Sequence, residues 1–259
     1  MATVDLDALI GALYAHAWPF LRITGLLLVA PVFSAALVPR SAKMVLAITL
    51  AVAIAPTVPP APALEPLSAL ALLTAVQQLL IGVAIGFAVQ VVFDALLLAG
   101  QVIALTAGLG FATLVDPSRG VTTPVVGQLY IIVGLLMFLA VDGHLLLLQV
   151  LADSFLWMPP GPAGIDSVSL ATLVAWGGRI FEAGIVIALP AVVGLLVLNI
   201  ALGVISRAAP QLNLFSVGFP LGMLFGFLML VLSLPALQGS FERLLADALD
   251  VAARAAGAP

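Results

Sequence analysis

Residues 66–93 read PLSALALLTAVQQLLIGVAIGFAVQVVF, a run of 28 residues without a charged side chain. At 1.5 Å per residue, an α-helix formed by this run would be roughly 42 Å long. The hydrocarbon core of a bilayer is about 30 Å thick, and about 20 apolar residues are enough to cross it. The run therefore predicts a membrane-spanning helix and argues against a soluble protein.

The same pattern recurs along the whole chain. Of the 259 residues, 64% are hydrophobic and 8% are charged, whereas soluble domains carry about 25% charged residues. We predict an all-α, polytopic membrane protein built from long, kinked helical hairpins. The apolar pattern predicts about six long helices, at 6–37 (interrupted), 41–56, 67–106 (bent or broken), 123–155, 170–206 and 211–250.

The composition also excludes several kinds of function. The chain has no cysteine, and its net charge is −4 without any basic tract, so we expect neither a thiolate metal site nor nucleic acid as a partner. The sequence contains no GxSxG elbow, phosphate-binding loop or HExxH pattern. We therefore predict that the protein is not an enzyme and uses no cofactor or metal.

We interpret Asp142-Gly143-His144 as a break in a helix, at which the two polar side chains satisfy freed backbone groups, rather than as an acid–base pair.

Proline and glycine divide the apolar regions. The segment from Ala55 to Pro66 contains five prolines and is predicted to be a stiff connector. A second connector rich in proline and glycine, at 159–164, is placed outside the lipid. Pro190 lies inside the uncharged run 183–206, where it is expected to kink the helix because proline removes an intrahelical hydrogen bond.

Charged residues within apolar segments are candidates for function, because a charge at membrane depth is costly. Arg179 and Glu182 are three residues apart, so on a helix they can form a local ion pair. Arg22 can snorkel, which means that its apolar stem extends through the lipid and brings the charge to the water interface. Asp94 is compatible with a partner contact, a wet cavity or a helix end.

Small residues recur at helical spacing in two places. Gly82 and Gly86 form a GxxxG pair, and a second row comprises Gly218, Gly222 and Gly226. Such rows allow two helix backbones to approach closely. Because GxxxG is also common by chance in apolar sequence, each row is equally compatible with a packing interface and with no special role.

The segment GLGFATLVDPSRG, residues 108–120, combines backbone-opening glycines and a proline with the apolar Phe111, Leu114 and Val115. Irregular backbone at membrane depth persists only where it is buried in protein or lines a cavity. From the residues alone, two interpretations are equally supported: a connecting loop that lies on the membrane interface, and an apolar plug across a pore.

Four stretches, in order along the chain, resemble the FliR family of type III export-gate proteins, whose injectisome members are called SctT-like. The last stretch, which contains SRAAPQLNLFSVGFP, is the most specific. The four stretches are RITGLLLVAPVFSAALVPRSAKMVLAITLAVAIAP (22–56), GLGFATLVDPSRG (108–120), FLAVDGHLLLLQVLADSFLWMPPG (138–161) and ALPAVVGLLVLNIALGVISRAAPQLNLFSVGFPLGMLFG (188–226).

The resemblance implies a membrane component of the flagellar or type III protein export gate, which helps to form and seal the conduit for unfolded export substrates. It implies FliP-like, FliQ-like and FlhB-like partner subunits in the bacterial inner membrane, at a flagellar basal body or an injectisome base. Residues 1–165 would be FliP-like helical hairpins with a plug loop near 108–120, and residues 166–259 a FliQ-like hairpin and tail. The alternative is a secondary transporter or permease, which would carry inverted repeats and paired broken helices.

The resemblance also assigns roles to residues. At Leu114 this chain departs from relatives that carry a second phenylalanine there, so the seal stays apolar but loses a ring. The implied plug consists of Gly108, Gly110, Phe111, Leu114, Val115, Asp116 and Pro117. Roles in helix packing or assembly are expected for Gly82, Gly86, Pro190, Arg207, Pro210, Gly218, Gly222 and Gly226.

Overall fold

Nine α-helices account for most of the part of the chain that the structure describes. The computed structural model describes residues 6–34, 38–59, 64–65, 68–109, 125–161, 164–208 and 214–258. The helices are α1 (Leu6–Val29), α2 (Pro31–Ser34), α3 (Arg40–Ile54), α4 (Ala69–Thr106), α5 (Val125–Ala140), α6 (Gly143–Trp157), α7 (Ser167–Gly177), α8 (Arg179–Ala208) and α9 (Leu214–Ala255), with a 3₁₀ turn at Ala55–Thr57.

Within the described residues, four segments are long and apolar enough to cross a membrane: Arg40–Thr57, Ala69–Thr106, Ser167–Ala208 and Pro220–Ala255. A fifth is added if α5 and α6, which flank a break, are counted as one span. Because the described residues contain helices and no strand, the prediction of an all-α, polytopic membrane protein is confirmed.

The predicted helices differ from the observed ones in three places. The helix 67–106 was predicted to be bent or broken, but the observed α4 is one unbroken helix of 38 residues. The predicted helix 123–155 is wrong as a single element, because α5 ends at Ala140 and α6 begins at Gly143. The predicted helix 170–206 is likewise divided, at Gly178.

The break between α5 and α6 is a backbone feature of Asp142. Its φ of 55° lies in the left-handed region, which is unusual for a residue other than glycine. The Asp142 carbonyl oxygen accepts hydrogen bonds from the backbone N–H groups of Leu145 and Leu146, at 2.9 and 3.1 Å. The predicted break at Gly143 is therefore confirmed, but the predicted capping by side chains is wrong for Asp142, whose carboxylate makes no cap hydrogen bond.

The start of α7 does have a side-chain cap. Asp166 precedes the helix, and its Oδ1 accepts a hydrogen bond of 2.9 Å from the backbone N–H of Ser169. Hydrogen bonds from Ser169 favour the ionised carboxylate and hold the pKa of Asp166 below its usual value. Further along α7, the Trp176 indole N–H donates to the Ala88 carbonyl of α4 at 2.8 Å, which fixes α7 against α4.

Contacts divide the chain into two compact units, each assembled from separate parts of the sequence. Unit 1 comprises Met1–Val91, Val141–Gly177 and Leu245–Pro259, and unit 2 comprises Val92–Ala140 and Gly178–Leu244. Each unit therefore groups residues that contact one another, whether or not they are consecutive in the sequence. The division into FliP-like 1–165 and FliQ-like 166–259 parts concerns likeness to other subunits, and it stays a prediction.

The core of unit 2 is a cluster of three phenylalanines. The ring of Phe93 meets the rings of Phe138 and Phe241 edge-on, with centroids 5.8 and 6.2 Å away. This arrangement is favoured because the positive edge of one ring faces the negative face of another. Nearby, Gly100 of α4 and Gly127 of α5 bring the two backbones together: a Cβ on Gly100 would lie 2.6 Å from the Gly127 Cα.

This close approach predicts opposite effects for two glycine-to-alanine changes. Gly100→Ala should lower the free energy of unfolding by about 1–3 kcal/mol, because a backbone atom cannot move aside for the new methyl group. Gly203→Ala in α8 is the matched control: nothing lies within 4 Å of its Cβ position, so it should be neutral or add about 0.5–1 kcal/mol through helix propensity. Thermal unfolding in detergent measures both, and equal shifts would contradict the predicted α4–α5 packing.

Candidate functional site

Arg22 is the most deeply buried charged residue that the structure describes. It lies in α1 and is 0% exposed, so the predicted snorkelling of this side chain to the water interface is wrong. The physical reason is that other helices of unit 1 supply enough polar atoms to surround the guanidinium group where it stands. A charge buried in this way is retained only when it is hydrogen-bonded.

Five hydrogen bonds match the five N–H donors of the guanidinium group. Nε and Nη2 both donate to the Gln78 side-chain oxygen of α4, at 2.9 Å for Nε. Nη1 donates to the carbonyl oxygen and the hydroxyl of Ser154, at 2.8 and 3.0 Å. Nη2 also donates to the carbonyl oxygen of Met158 at 2.8 Å. Arg22 therefore ties α1 to α4 and to the end of α6.

The partners of Arg22 are all neutral, so its charge is stabilised without a carboxylate. Ser154 and Met158 belong to the last turn and the cap of α6, and the carbonyl groups of a last turn form the negative end of the helix dipole. The guanidinium carbon also lies 4.1 Å from the centre of the Phe155 ring, within the range of a cation–π contact. Arg22 thus caps the C-terminus of a helix other than its own.

Glycines bring α1 and α4 close enough for this contact. A Cβ on Gly82 would collide with the carbonyl oxygen of Arg22, and a Cβ on Gly25 would collide with that of Leu79. One turn further along, a Cβ on Gly86 would lie 3.0 Å from the Leu26 carbonyl oxygen. The Gly82/Gly86 pair therefore packs α4 against α1 within this chain; its role in assembly with other subunits stays a prediction.

The second glycine row faces the other end of α4. A Cβ on Gly226 would lie 3.1 Å from the Ala107 Cβ, and one on Gly222 would lie 3.8 Å from the Ala107 carbonyl oxygen. Gly218 is buried. The row therefore lies next to the end of α4, within unit 2.

The predicted plug begins where α4 stops. Gly108 has a φ of 79° and its N–H donates to the Leu105 carbonyl at 3.1 Å, while the Leu109 N–H donates to the Ala104 carbonyl at 2.9 Å. These two bonds form a Schellman motif, in which a left-handed glycine ends a helix. The remaining plug residues, Gly110, Phe111, Leu114, Val115, Asp116 and Pro117, lie outside the described residues.

Other predicted residues are placed as follows. Arg179 and Glu182 form the expected local ion pair, at 2.7 Å. Pro190 lies inside α8 and is exposed, as is Arg207 in its last turn, while Pro210 lies outside the described residues. Asp94 is half-buried in α4. Within the described ranges, no group of three His, Cys, Asp or Glu side chains could hold a metal ion.

Sequence reasoning missed the partners of Arg22. Gln78 and Ser154 are, with Arg22, among the few buried polar residues, and each lies in a different apolar helix. That pattern, one polar residue on each of several apolar helices, is the signal that could have indicated a shared buried site. The sequence does not indicate which of its polar residues would meet, since the partners are 56 to 136 positions away.

The fold and the apolar spans define a helical membrane protein, and comparison with known proteins defines its family. A family model described as "Bacterial export proteins, family 1" matches residues 13–248, and the chain belongs to this family. Flagellar biosynthetic protein FliR of Escherichia coli (strain K12) is 38% identical over 98% of this chain and 97% of its own length.

Two further relatives carry the same description. Flagellar biosynthetic protein FliR of Pectobacterium carotovorum subsp. carotovorum is 38% identical, covering 91% of this chain and 90% of that protein. The FliR of Aquifex aeolicus (strain VF5) is 32% identical over 83% of each chain. The predicted resemblance to the FliR family is confirmed, and the chain is a membrane protein of the flagellar export family.

The Arg22 site predicts a large loss of stability when the guanidinium group is removed. Arg22→Gln should lower the free energy of unfolding by roughly 2–5 kcal/mol, because it removes the donor that binds the Met158 carbonyl group and the Ser154 side chain and opens a cavity. Arg22→Lys should recover part of this loss, since it keeps the charge but has only three donors on one nitrogen.

The control for this series is Arg40→Gln. Arg40 is exposed at the start of α3, and exposed substitutions usually change stability by less than about 0.5 kcal/mol. Unfolding in detergent, followed by circular dichroism or by binding of a hydrophobic dye, measures all three variants. If Arg22→Gln were as stable as Arg40→Gln, the capping role of Arg22 would be refuted.

Proposed function

We propose that the protein is a subunit of the flagellar protein export gate, which helps to form and seal the conduit for unfolded export substrates. Membership of the family of bacterial export proteins supports this proposal. FliP-like, FliQ-like and FlhB-like subunits are the proposed partners, and the bacterial inner membrane is the proposed location. In this role the protein acts by packing and sealing rather than by catalysis.

One observation carries the proposal: the apolar spans differ greatly in how much they are buried within the chain. In each span we compared how much of an apolar stretch of 18 residues is buried within the chain. The buried share is 67% in α4, 11% in Arg40–Thr57, and 22% in both Ser167–Ala208 and Pro220–Ala255. A conduit subunit needs such unburied apolar helices, because neighbouring subunits as well as lipid must pack against them.

The face of α8 that carries Asn199 and Gly203 has the character of a subunit contact. These residues are four apart and therefore share a face of the helix. Asn199 is exposed, and its side-chain amide donates a long hydrogen bond of 3.5 Å to the Thr106 carbonyl, although a polar amide at membrane depth is stabilised by hydrogen bonding. Among the described residues, nothing beyond the adjoining backbone of α8 lies within 4 Å of the Cβ position of Gly203, which leaves room for a second backbone to approach closely.

The proposed seal is the segment from Gly108 to Gly120. Its first residue is the glycine that ends α4, and the row Gly222/Gly226 lies next to the preceding residue, Ala107. This packing would anchor the start of the segment. An apolar constriction of this kind can exclude ions by dewetting, without a charged or covalent gate.

Assembly provides one test. Gly203→Leu should leave the stability of the isolated chain unchanged, because its new side chain meets open space, but it should reduce the yield of a co-purified complex with FliP-like and FliQ-like subunits by about tenfold. Gly203→Ala is the control, since a methyl group still permits close approach. The measurement is the mass and yield of the co-expressed complex. Full assembly of the leucine variant would mean that this face does not contact a partner.

Leakage provides a second test. Phe111→Ala combined with Leu114→Ala should leave assembly intact but raise the conductance of the assembled complex, and Phe111→Asp should raise it further because a charge favours a wetted pore. Leu105→Ala, at an exposed apolar residue just before the segment, is the control and should not leak. Complexes with the double substitution that form normally and conduct no more than wild type would refute the plug.

A further inference from the structure

The last 14 residues of the described chain belong to the same compact unit as its first helices. Residues 245–258, here called the C-terminal latch, belong to unit 1 together with α1, α6 and the first part of α4, whereas the preceding part of α9 belongs to unit 2. A helix end usually frays unless specific contacts hold it. Three observations show that the latch is held in place: one of its faces is buried, its helix ends in a hydrogen-bonded motif, and its last turn contacts the end of α6.

The buried face of the latch is formed by small residues. Ala248, Ala252 and Ala256 are each 0% exposed, and Ala255 is 2% exposed. Their spacing of four residues places 248, 252 and 256 on one side of the helix. By contrast, Ala246 is exposed on the opposite side of the same turns. One face of this short segment is therefore fully covered, which a frayed end would not be.

The latch ends in a defined stop rather than by fraying. Gly257 has a φ of 90°, and its N–H donates to the Arg254 carbonyl at 3.0 Å. The Ala258 N–H donates to the Ala253 carbonyl at 2.9 Å. This is a second Schellman motif, which satisfies the final carbonyl groups and fixes the direction in which the chain leaves the helix.

The Schellman stop at Gly257 contacts Met158, whose carbonyl oxygen also binds Arg22. A Cβ on Gly257 would lie 3.3 Å from the Met158 Cε and 3.5 Å from the Trp157 carbonyl oxygen. The carbonyl oxygen of the same Met158 accepts the hydrogen bond from Arg22 Nη2. Met158 is thus contacted by the latch through its side chain and by the buried guanidinium group through its carbonyl oxygen.

We propose that the C-terminal latch is a conformational device that closes unit 1: docking of residues 245–258 on the Trp157–Met158 corner holds the end of α6 where Arg22 can cap it. When the latch is undocked, this corner loses its outer support, Arg22 loses a partner, and α1 opens from α6. The proposal concerns the folding of unit 1 and does not depend on the export function.

The absence of cysteine from the sequence allows the opening of each unit to be measured separately. Leu26→Cys places a thiol at a position of α1 in unit 1 that is 0% exposed, and Leu96→Cys does the same in unit 2. Both single-cysteine chains are purified in detergent at full length. The rate at which a maleimide reagent modifies the thiol then reports how often that part of the structure opens.

The latch is disturbed by Ala252→Leu, which forces a larger side chain into the covered face, and the matched control is Ala246→Leu on the exposed face. With Ala252→Leu, modification at the Leu26→Cys position should become about tenfold faster, while the rate at the Leu96→Cys position should change by less than about twofold. Ala246→Leu should change neither rate. Equal rates for the two leucine variants at the unit 1 probe would overturn the proposal, and so would an equal rise at both probes.

A second variant keeps the test decisive if Ala252→Leu does not accumulate in the membrane. Gly257→Ala strains the left-handed stop without adding bulk to the covered face. It should raise the modification rate at the Leu26→Cys position several-fold and leave the Leu96→Cys rate unchanged. An unchanged rate at the unit 1 probe would overturn the proposal, because the Schellman stop would then have no part in closing the unit.

Discussion

The hydrogen bonds between Arg22 and the end of α6 hold the described part of unit 1 together. In an apolar environment, an uncapped helix end carries carbonyl groups that water cannot reach, and each such group costs free energy. The guanidinium group satisfies the carbonyl group of Met158, adds a second donor to the carbonyl group of Ser154, which also accepts from the Met158 N–H, and binds Gln78 of α4 at the same time. The positive charge is stabilised by the helix dipole of α6, and none of the observed partners of Arg22 is acidic. The site therefore joins three helices without an ion pair among the described residues.

Glycine determines how closely the helices approach, and it does so at both ends of α4. Near the start of the helix, Gly25 and Gly82 let α1 come near enough for Arg22 to reach Gln78. Further along, Gly100 and Gly127 bring α4 against α5. In contrast, no other described helix comes within 4 Å of the Cβ position of Gly203. The same residue type therefore serves internal packing in α4 and leaves an open surface on α8.

The sequence predicted the helical class, the break at Gly143 and the Arg179–Glu182 pair, because each depends on residues that are close together along the chain. Uncharged runs reveal helices, and spacing of three residues reveals an ion pair. It did not predict the burial of Arg22, because that depends on Ser154, which is 132 residues away. The division of the predicted helix 170–206 at Gly178 was also missed, since a glycine within an apolar run gives only a weak signal for a break. For the plug, the described residues establish only where α4 ends at Gly108.

The discontinuous composition of unit 1 constrains how the chain can be made. Its parts come from the beginning, the middle and the very end of the sequence, so α1 leaves the ribosome more than 200 residues before the segment 245–258. Domains that are continuous in sequence can fold as they are synthesised, but unit 1 can be completed only after residues 245–258 have been made. The observed partners of Arg22 are all made by residue 158, so the guanidinium site can form before the Trp157–Met158 corner has its contact with residue 257. The interval between these two events is thus the period in which an insertion factor or a protease has access to an incompletely packed unit 1.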